Sequence, residues 1–267
     1  MHKVAQTLAA LVLLFHLAFG SAESAQNASG TWSIAPSDGT RHVELSLRAD
    51  DARTGSIHHN TFEIDPATLG LTTAQLAAKN AAVRFTLARE AGTFLCTGTL
   101  NDGSGGGPLT FTPSDAFADR MRSRGYNLTL DHLLEAASVD LTTDYVDGIA
   151  AAGYAHIEYA NLIAFRATGV DPDYVRAIRQ ALAPNTLNSE QLIPLHALHV
   201  DAEYLRGLAS VGYAQLEPSQ AIQLRALGID AAYIRRVQAH GLAHPSIEKL
   251  VELKAMNLVF TDRDGRA

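Results

Sequence analysis

Gly169-Val170-Asp171-Pro172-Asp173-Tyr174-Val175-Arg176-Ala177-Ile178-Arg179 and, 59 residues on, Gly228-Ile229-Asp230-Ala231-Ala232-Tyr233-Ile234-Arg235-Arg236-Val237 are two versions of one phrase. The same phrase is legible on either side. Tyr145, Tyr174, Tyr204 and Tyr233 lie 29, 30 and 29 residues apart. Apolar pairs keep that period: Leu133-Leu134, Leu162-Ile163, Leu192-Ile193, Ala221-Ile222 and Leu250-Val251. Gly-Tyr recurs at Gly125-Tyr126, Gly153-Tyr154 and Gly212-Tyr213, with Gly241-Leu242 as a variant. A fixed period of this length predicts a tandem array of helical hairpins over residues 125–257.

Each unit reads as two short helices. The first starts at a polar slot (Thr129, Glu158, Asn188, Glu217, Ser246), of which Thr, Asn and Ser are good N-caps. It stops at Asp140, Gly169, His199, Gly228 or Asn257. Those residue types tolerate a left-handed backbone best, so one steric need explains five unlike residues. The second helix is capped by Thr142, Asp171, Asp201 or Asp230, and Pro172 sits at a first helical position where it is well tolerated. Tyr145, Tyr174, Tyr204 and Tyr233 fall in its first turn, four residues before Ile149, Ile178, Leu208 and Val237. That spacing places tyrosine and aliphatic on one helical face, read here as the core face. With Gly169 and Gly228 the four tyrosines are the structural anchors of the array.

Residues 31–113 follow another rhythm. Val43, Leu45 and Leu47 alternate with polar residues, and the pattern returns in 83–89, 93–100 and 109–111. Alternation at period two predicts an antiparallel sheet or small barrel with one wet face. Trp32 and Ile34 open the first strand, residues 56–64 form another, and 69–79 read as a short helix or loop. Glu90-Ala91-Gly92 reads as a tight turn, and 101–108 (NDGSGGGP) as a longer flexible connection. The expected class is therefore α+β, an N-terminal antiparallel sheet or barrel domain followed by the helical array. A connector of residues 114–124 joins them, and 258–267 form a charged tail.

The first 22 residues carry Lys3, a 12-residue apolar run from Leu8 to Phe19, and small residues up to Ala22. This is the pattern of a secretory signal peptide, too short to span a bilayer as a helix. A polar linker, 23–30, follows. The expected location is exported, periplasmic or extracellular, with no integral membrane segment in the mature chain. Of 267 residues, 21 are Lys or Arg and 28 Asp or Glu, a net charge of −7. An acidic balance argues against a nucleic-acid partner. Cys96, the single cysteine, alternates with Phe94 and Leu100 and is expected to be buried.

Several tempting sites dissolve on the period. His196 and His199 are spaced like two metal ligands, yet His196 takes the slot of Arg166, Arg225 and Lys254 and His199 the stop slot. His240 and His244 flank Gly241, where a helix ends. His58 and His59 point to opposite faces of a strand and read as two exposed histidines. Asp171, Asp201 and Asp230 read as caps, because a catalytic dyad needs two differently tuned carboxylates at one point. No HExxH, GxSxG or phosphate-loop motif occurs. No catalytic residue, metal or cofactor is therefore assigned. The candidate binding residues are two basic rows: Arg176, Arg206 and Arg235, two residues after each tyrosine, and Arg166, Arg225 and Lys254. Guanidinium rows suit carboxylates of an acidic or extended peptide. Asp147 interrupts the first row.

The run 169–179 with 228–237 resembles the GV-(T/D)-P-(E/D)-(Y/F)-(V/I)-R helical repeats that follow the membrane part of some bacterial antirepressor metallopeptidases, which are similar to beta-lactam-sensor proteins. The segments VRFTLAREAGTFLCTGTL (83–100) and GPLTFTPSDAFADRMRSRGY (107–126) resemble the companion β domain of that family. The same repeats occur in exported stand-alone proteins of unknown role. The family's membrane helices and zinc motif are missing here, so peptidase activity is not carried across. The resemblance implies a bacterial cell-envelope module. The expected function is a non-catalytic binding or scaffold protein for a peptide or protein partner. The alternatives are an accessory sensor partner of a membrane signalling protein, or an envelope hydrolase with its site at the domain junction.

Overall fold

A computed structural model describes residues 27–37, 42–50, 54–182 and 187–256. The signal pattern 1–22, residues 23–26 of the linker, Ala183-Pro184, the stop residue Asn257 and the tail 258–267 lie outside the described residues, and the linker's other half is not a linker, because the first strand already begins at Ala28. The protein is α+β, a six-stranded antiparallel sheet followed by a run of helices. Among the described residues no helix is long and apolar enough to cross a membrane.

The strands are β1 (Ala28–Pro36), β2 (Val43–Asp50), β3 (Ile57–Ile64), β4 (Ala81–Arg89), β5 (Gly92–Asn101) and β6 (Ser104–Pro113), in the order β3-β2-β1-β6-β5-β4. A 3-10 turn (Pro66–Leu69) and the short helix α1 (Thr73–Ala77) link β3 to β4. The alternation of period two buries Trp32, Ile34, Val43, Leu45, Leu47, Val83, Phe85, Phe94, Cys96 and Phe111 on one face. Burial pushes the Cys96 thiol up to about 12, which keeps it protonated and unreactive.

The sheet is open, not a barrel: β3 and β4 are its two edges. It nevertheless curls until Arg89, at the end of β4, lies over the ring of Phe62 on β3, 5.7 Å from its centroid.

The segment 101–108 is not a flexible connection. Asp102 and Gly103, with φ of 49° and 82°, make a two-residue turn between Asn101 and its partner Ser104. Two positive φ values match the right-handed twist of a hairpin, and Asp-Gly is a strong signal for it. Gly105, Gly106 and Gly107 then lie inside β6, paired with Ile34, Ser33 and Trp32. Their small size serves packing rather than mobility. A methyl on Gly107 would stand 2.1 Å from the Thr97 carbonyl oxygen. Across the bare backbone the Trp32 indole reaches Thr97, donating to its carbonyl at 2.9 Å, and meets Phe85 edge-on at 4.8 Å.

The helices are α2 (Asp115–Arg122), α3 (Leu130–Ser138), α4 (Thr143–Ala151), α5 (Tyr159–Thr168), α6 (Pro172–Ala181), α7 (Ser189–Ala197), α8 (Ala202–Ala209), α9 (Pro218–Ala226), α10 (Ala231–Ala239) and α11 (Ile247–Ala255). The segment read as a connector thus holds α2, whose Phe117 and Met121 are fully buried. Helix α3 packs across β3, β5 and β6. Beyond it the helices alternate between two rows. Helices α5, α7, α9 and α11 contact one another in sequence, and so do α2, α4, α6, α8 and α10.

Local chemistry sets most of these boundaries. Thr142, Asp171, Asp201 and Asp230 each accept a hydrogen bond from the backbone N–H of the tyrosine three residues on. Thr129, Asn188 and Ser246 cap α3, α7 and α11 in the same way, whereas Glu158 makes no side-chain cap. Asp140, Gly169, His199 and Gly228 all take positive φ, between 54° and 79°. Gly125, Gly153, Gly212 and Gly241 do so at the ends of α2, α4, α8 and α10.

The tyrosines face differently from expectation. The buried positions are Val146, Val175, Leu205 and Ile234, together with Ile149, Ile178, Leu208 and Val237. Tyr145, Tyr174 and Tyr204 are half-buried, and Tyr233 is buried. A phenol needs a partner for its hydroxyl, which an aliphatic interior lacks, so the ring lies beside the core rather than in it.

Candidate functional site

Three tyrosines bridge neighbouring parts of the helical half by one geometry. The hydroxyls of Tyr145, Tyr174 and Tyr204 donate to the carbonyls of Val170, Val200 and Ile229 at 2.5, 3.0 and 2.7 Å. Each acceptor directly follows a positive-φ residue: Gly169, His199 or Gly228. A second set repeats the idea. Tyr126, Tyr154 and Tyr213 donate to the carbonyls of Ile157, Leu187 and Pro245 at 2.8, 3.1 and 2.5 Å, each just before the start of a following helix or its cap. Burial raises the phenol pKa of Tyr145, Tyr174 and Tyr204, which keeps them protonated donors.

The two basic rows have separate fates. Arg166 lies over the ring of Tyr145, Arg225 over Tyr204 and Lys254 over Tyr233, at 5.6, 4.7 and 4.7 Å from the centroids. His196 meets Tyr174 edge-on at 4.9 Å in the equivalent place. Arg166 and Arg225 also donate Nε to the carbonyls of Asp140 and Leu198, both at 3.0 Å. This row is half-buried and ties helices together, so it is not a free binding ladder. Arg176, Arg206 and Arg235 stay exposed. Arg176 pairs with Asp173, and Arg235 reaches the Ser210 hydroxyl at 3.3 Å. Asp147, the residue that breaks this row, grips Arg124 with two hydrogen bonds of 2.7 and 2.6 Å. That guanidinium holds its carboxyl below the usual aspartate value.

The sheet and the helices meet through polar contacts that the sequence does not advertise. Glu90, in the β4–β5 turn, accepts from the Thr143 amide at 2.9 Å, the Thr143 hydroxyl at 2.7 Å and Arg120 at 2.8 Å. Burial acts to raise its pKa, but these donors prevail and hold the carboxyl below its ordinary value. His58 is half-buried rather than exposed, with Nε2 2.8 Å from Asp131 on α3. His59 faces the other side, 3.4 Å from the Thr61 hydroxyl.

One junction cleft holds two guanidinium groups. It measures about 320 Å³ and lies between β3, the end of α3 and α5, with Phe62, Arg89, Asp140 and Arg166 in its wall. Arg89 and Arg166 approach the same oxygen of Asp140, at 3.2 and 3.4 Å. Asp140 was legible only as a helix stop, and Arg89 only as a strand residue. Nothing in the pattern of either half shows that they meet.

Among the described residues no three His, Cys, Asp or Glu side chains come together as a metal site. No family model matches the chain, and no curated protein and no solved structure matches it.

Proposed function

We propose that the protein is a binding scaffold whose helical half is a tandem array of 29–30-residue two-helix units. The recurring hydrogen bond from a tyrosine hydroxyl to the carbonyl 25 or 26 residues on carries this reading. Short helical hairpins cannot bury their apolar faces alone, and stacking lets them share a core. A covalently distant but geometrically equivalent bond at each step makes the stack stiff. Helix α2 belongs to it as well. Ser114 caps α2 through the amide of Phe117, Gly125 ends it, and Phe117 fills the tyrosine slot. The array then starts half a unit before residue 125.

A stiff stack presents side chains at fixed intervals, which is what an extended partner can read. The row that remains exposed, Arg176, Arg206 and Arg235, suits a peptide or protein segment with spaced carboxylates. The resemblance to exported cell-envelope modules and the amino-terminal signal pattern support an extracytoplasmic setting. An immobilised array of acidic, neutral and basic peptides probes the proposal. Acidic peptides should be retained by the parent and released by the triple variant Arg176→Glu, Arg206→Glu, Arg235→Glu. Retention that ignores peptide charge, or survives the triple variant, would refute the assignment of this surface.

A further inference from the structure

We infer that the junction cleft is a second site, one that binds the C-terminal carboxylate of an extended peptide. It is independent of the exposed arginine row and stands or falls on other residues.

Two positive groups and one negative group meet here, so the cleft carries one uncompensated positive charge. Arg89 and Arg166 have five N–H donors each. Arg166 directs Nε to the Asp140 carbonyl at 3.0 Å and one terminal nitrogen to the Asp140 carboxylate at 3.4 Å. Arg89 reaches that carboxylate at 3.2 Å, and among the described residues its buried Nε has no acceptor. Donors outnumber acceptors, in a half-sheltered place where a charged hydrogen bond is strong. The missing partner is an acceptor-only group of one negative charge. A carboxylate fits that description and matches the guanidinium fork in shape.

The floor and the rim narrow the choice. Phe62 and Val139 give the cleft an apolar floor beside its charge, and about 320 Å³ admits a chain end with an apolar last side chain. The rim is β3, an edge strand whose one strand partner among the described residues is β2. An edge strand offers backbone groups to an added extended chain. A chain terminus satisfies all three features at once: main chain along β3, side chain over Phe62, carboxylate at the arginines.

Asp140 makes the idea separable from mere structure. It occupies the guanidinium groups now, so it competes with any bound carboxylate. Asp140→Asn keeps a residue that tolerates its φ of 57° and removes the competing charge. Calorimetry on the full chain would use N-acetyl-Ala-Ala-Leu as free acid, the same peptide as C-terminal amide, and 4-methylpentanoate. The acid should bind roughly tenfold or more tighter than the amide, as expected for loss of a charge-assisted hydrogen-bond pair. Arg89→Gln should weaken the acid by a similar factor, and Asp140→Asn should tighten it. Equal binding of acid and amide, or no binding of the acid at millimolar concentration, would overturn the proposal. So would Asp140→Asn leaving the acid no tighter, a result that stands even if Arg89→Gln fails to fold. Equal affinity for 4-methylpentanoate and the peptide would overturn it too, because the strand edge would then contribute nothing.

Discussion

Replacing Tyr145, Tyr174 and Tyr204 by Phe, singly and together, isolates the hydroxyl bridges. The ring remains, so its packing against Arg166, His196 or Arg225 is kept. What disappears is one hydrogen bond of 2.5, 3.0 or 2.7 Å to the carbonyl of Val170, Val200 or Ile229, all fully buried residues. A neutral hydrogen bond contributes about 1 kcal/mol net, and a buried carbonyl left without its donor costs about 1–3 kcal/mol. Each variant should therefore lose at least about 1 kcal/mol. The three sites share no partner, so the losses should add to about 3 kcal/mol. In a chain of this size 1 kcal/mol corresponds to about 2–4 °C, so the triple variant should melt about 6–12 °C lower. Thermal melting followed by circular dichroism reads this directly. A triple variant within about 2 °C of the parent would show that the bridges add nothing and that the stack owes its stiffness to other contacts.

Other consequences follow from single positions. His199→Gly should stabilise by about 0.5–1 kcal/mol, because glycine adopts φ of 54° without the steric cost a side chain bears there; a lower urea midpoint would contradict this. Gly107→Ala should cost about 1–3 kcal/mol, as expected for forced overpacking against the Thr97 carbonyl that the Trp32 indole bonds, and should change tryptophan fluorescence; an unaffected melt would mean β6 is not held where described. Glu90 has a pKa below its ordinary 4.5, so the folded state favours its carboxylate. Its contribution is complete above that value and is lost as pH falls through the lowered one. Glu90→Gln should thus melt lower than the parent at pH 7 and approach it under acid conditions; a gap that persists unchanged at acid pH would disprove the role given to the carboxylate.

Much of the fold was legible because it rests on local rules. Asp171, Asp201 and Asp230 each cap a helix through the amide of the tyrosine three positions on, a bond made within one turn of chain. The stop slot was readable through unlike residues because only a few side chains tolerate positive φ. Alternation found the strands by the same logic. What stayed hidden depends on contacts between distant parts. Gly105 to Gly107 looked like a loop because what requires them, the close approach of neighbouring strand backbone at Thr99, Trp32 and Thr97, belongs to other strands. Phe117 and Met121 sat in an apparent connector because the eight residues of α2 are too few to show a helical period by themselves. The tyrosine facing was misjudged because helical spacing cannot tell a core position from one beside it when the side chain is both large and polar. Arg89, Asp140 and Arg166 come from three elements, and no spacing rule brings them together.

Excision of one unit tests the tandem reading most directly. Deleting residues 200–228 joins His199 to Ile229, so each remaining residue keeps its slot and Tyr174 finds the Ile229 carbonyl in place of Val200. Circular dichroism and thermal melting should show a shorter but cooperatively folded protein, whereas deleting only residues 200–214 should abolish cooperative folding of the helical half. If removing the whole unit is as damaging as removing half of it, the helices are not equivalent repeats, and the proposed scaffold has no basis.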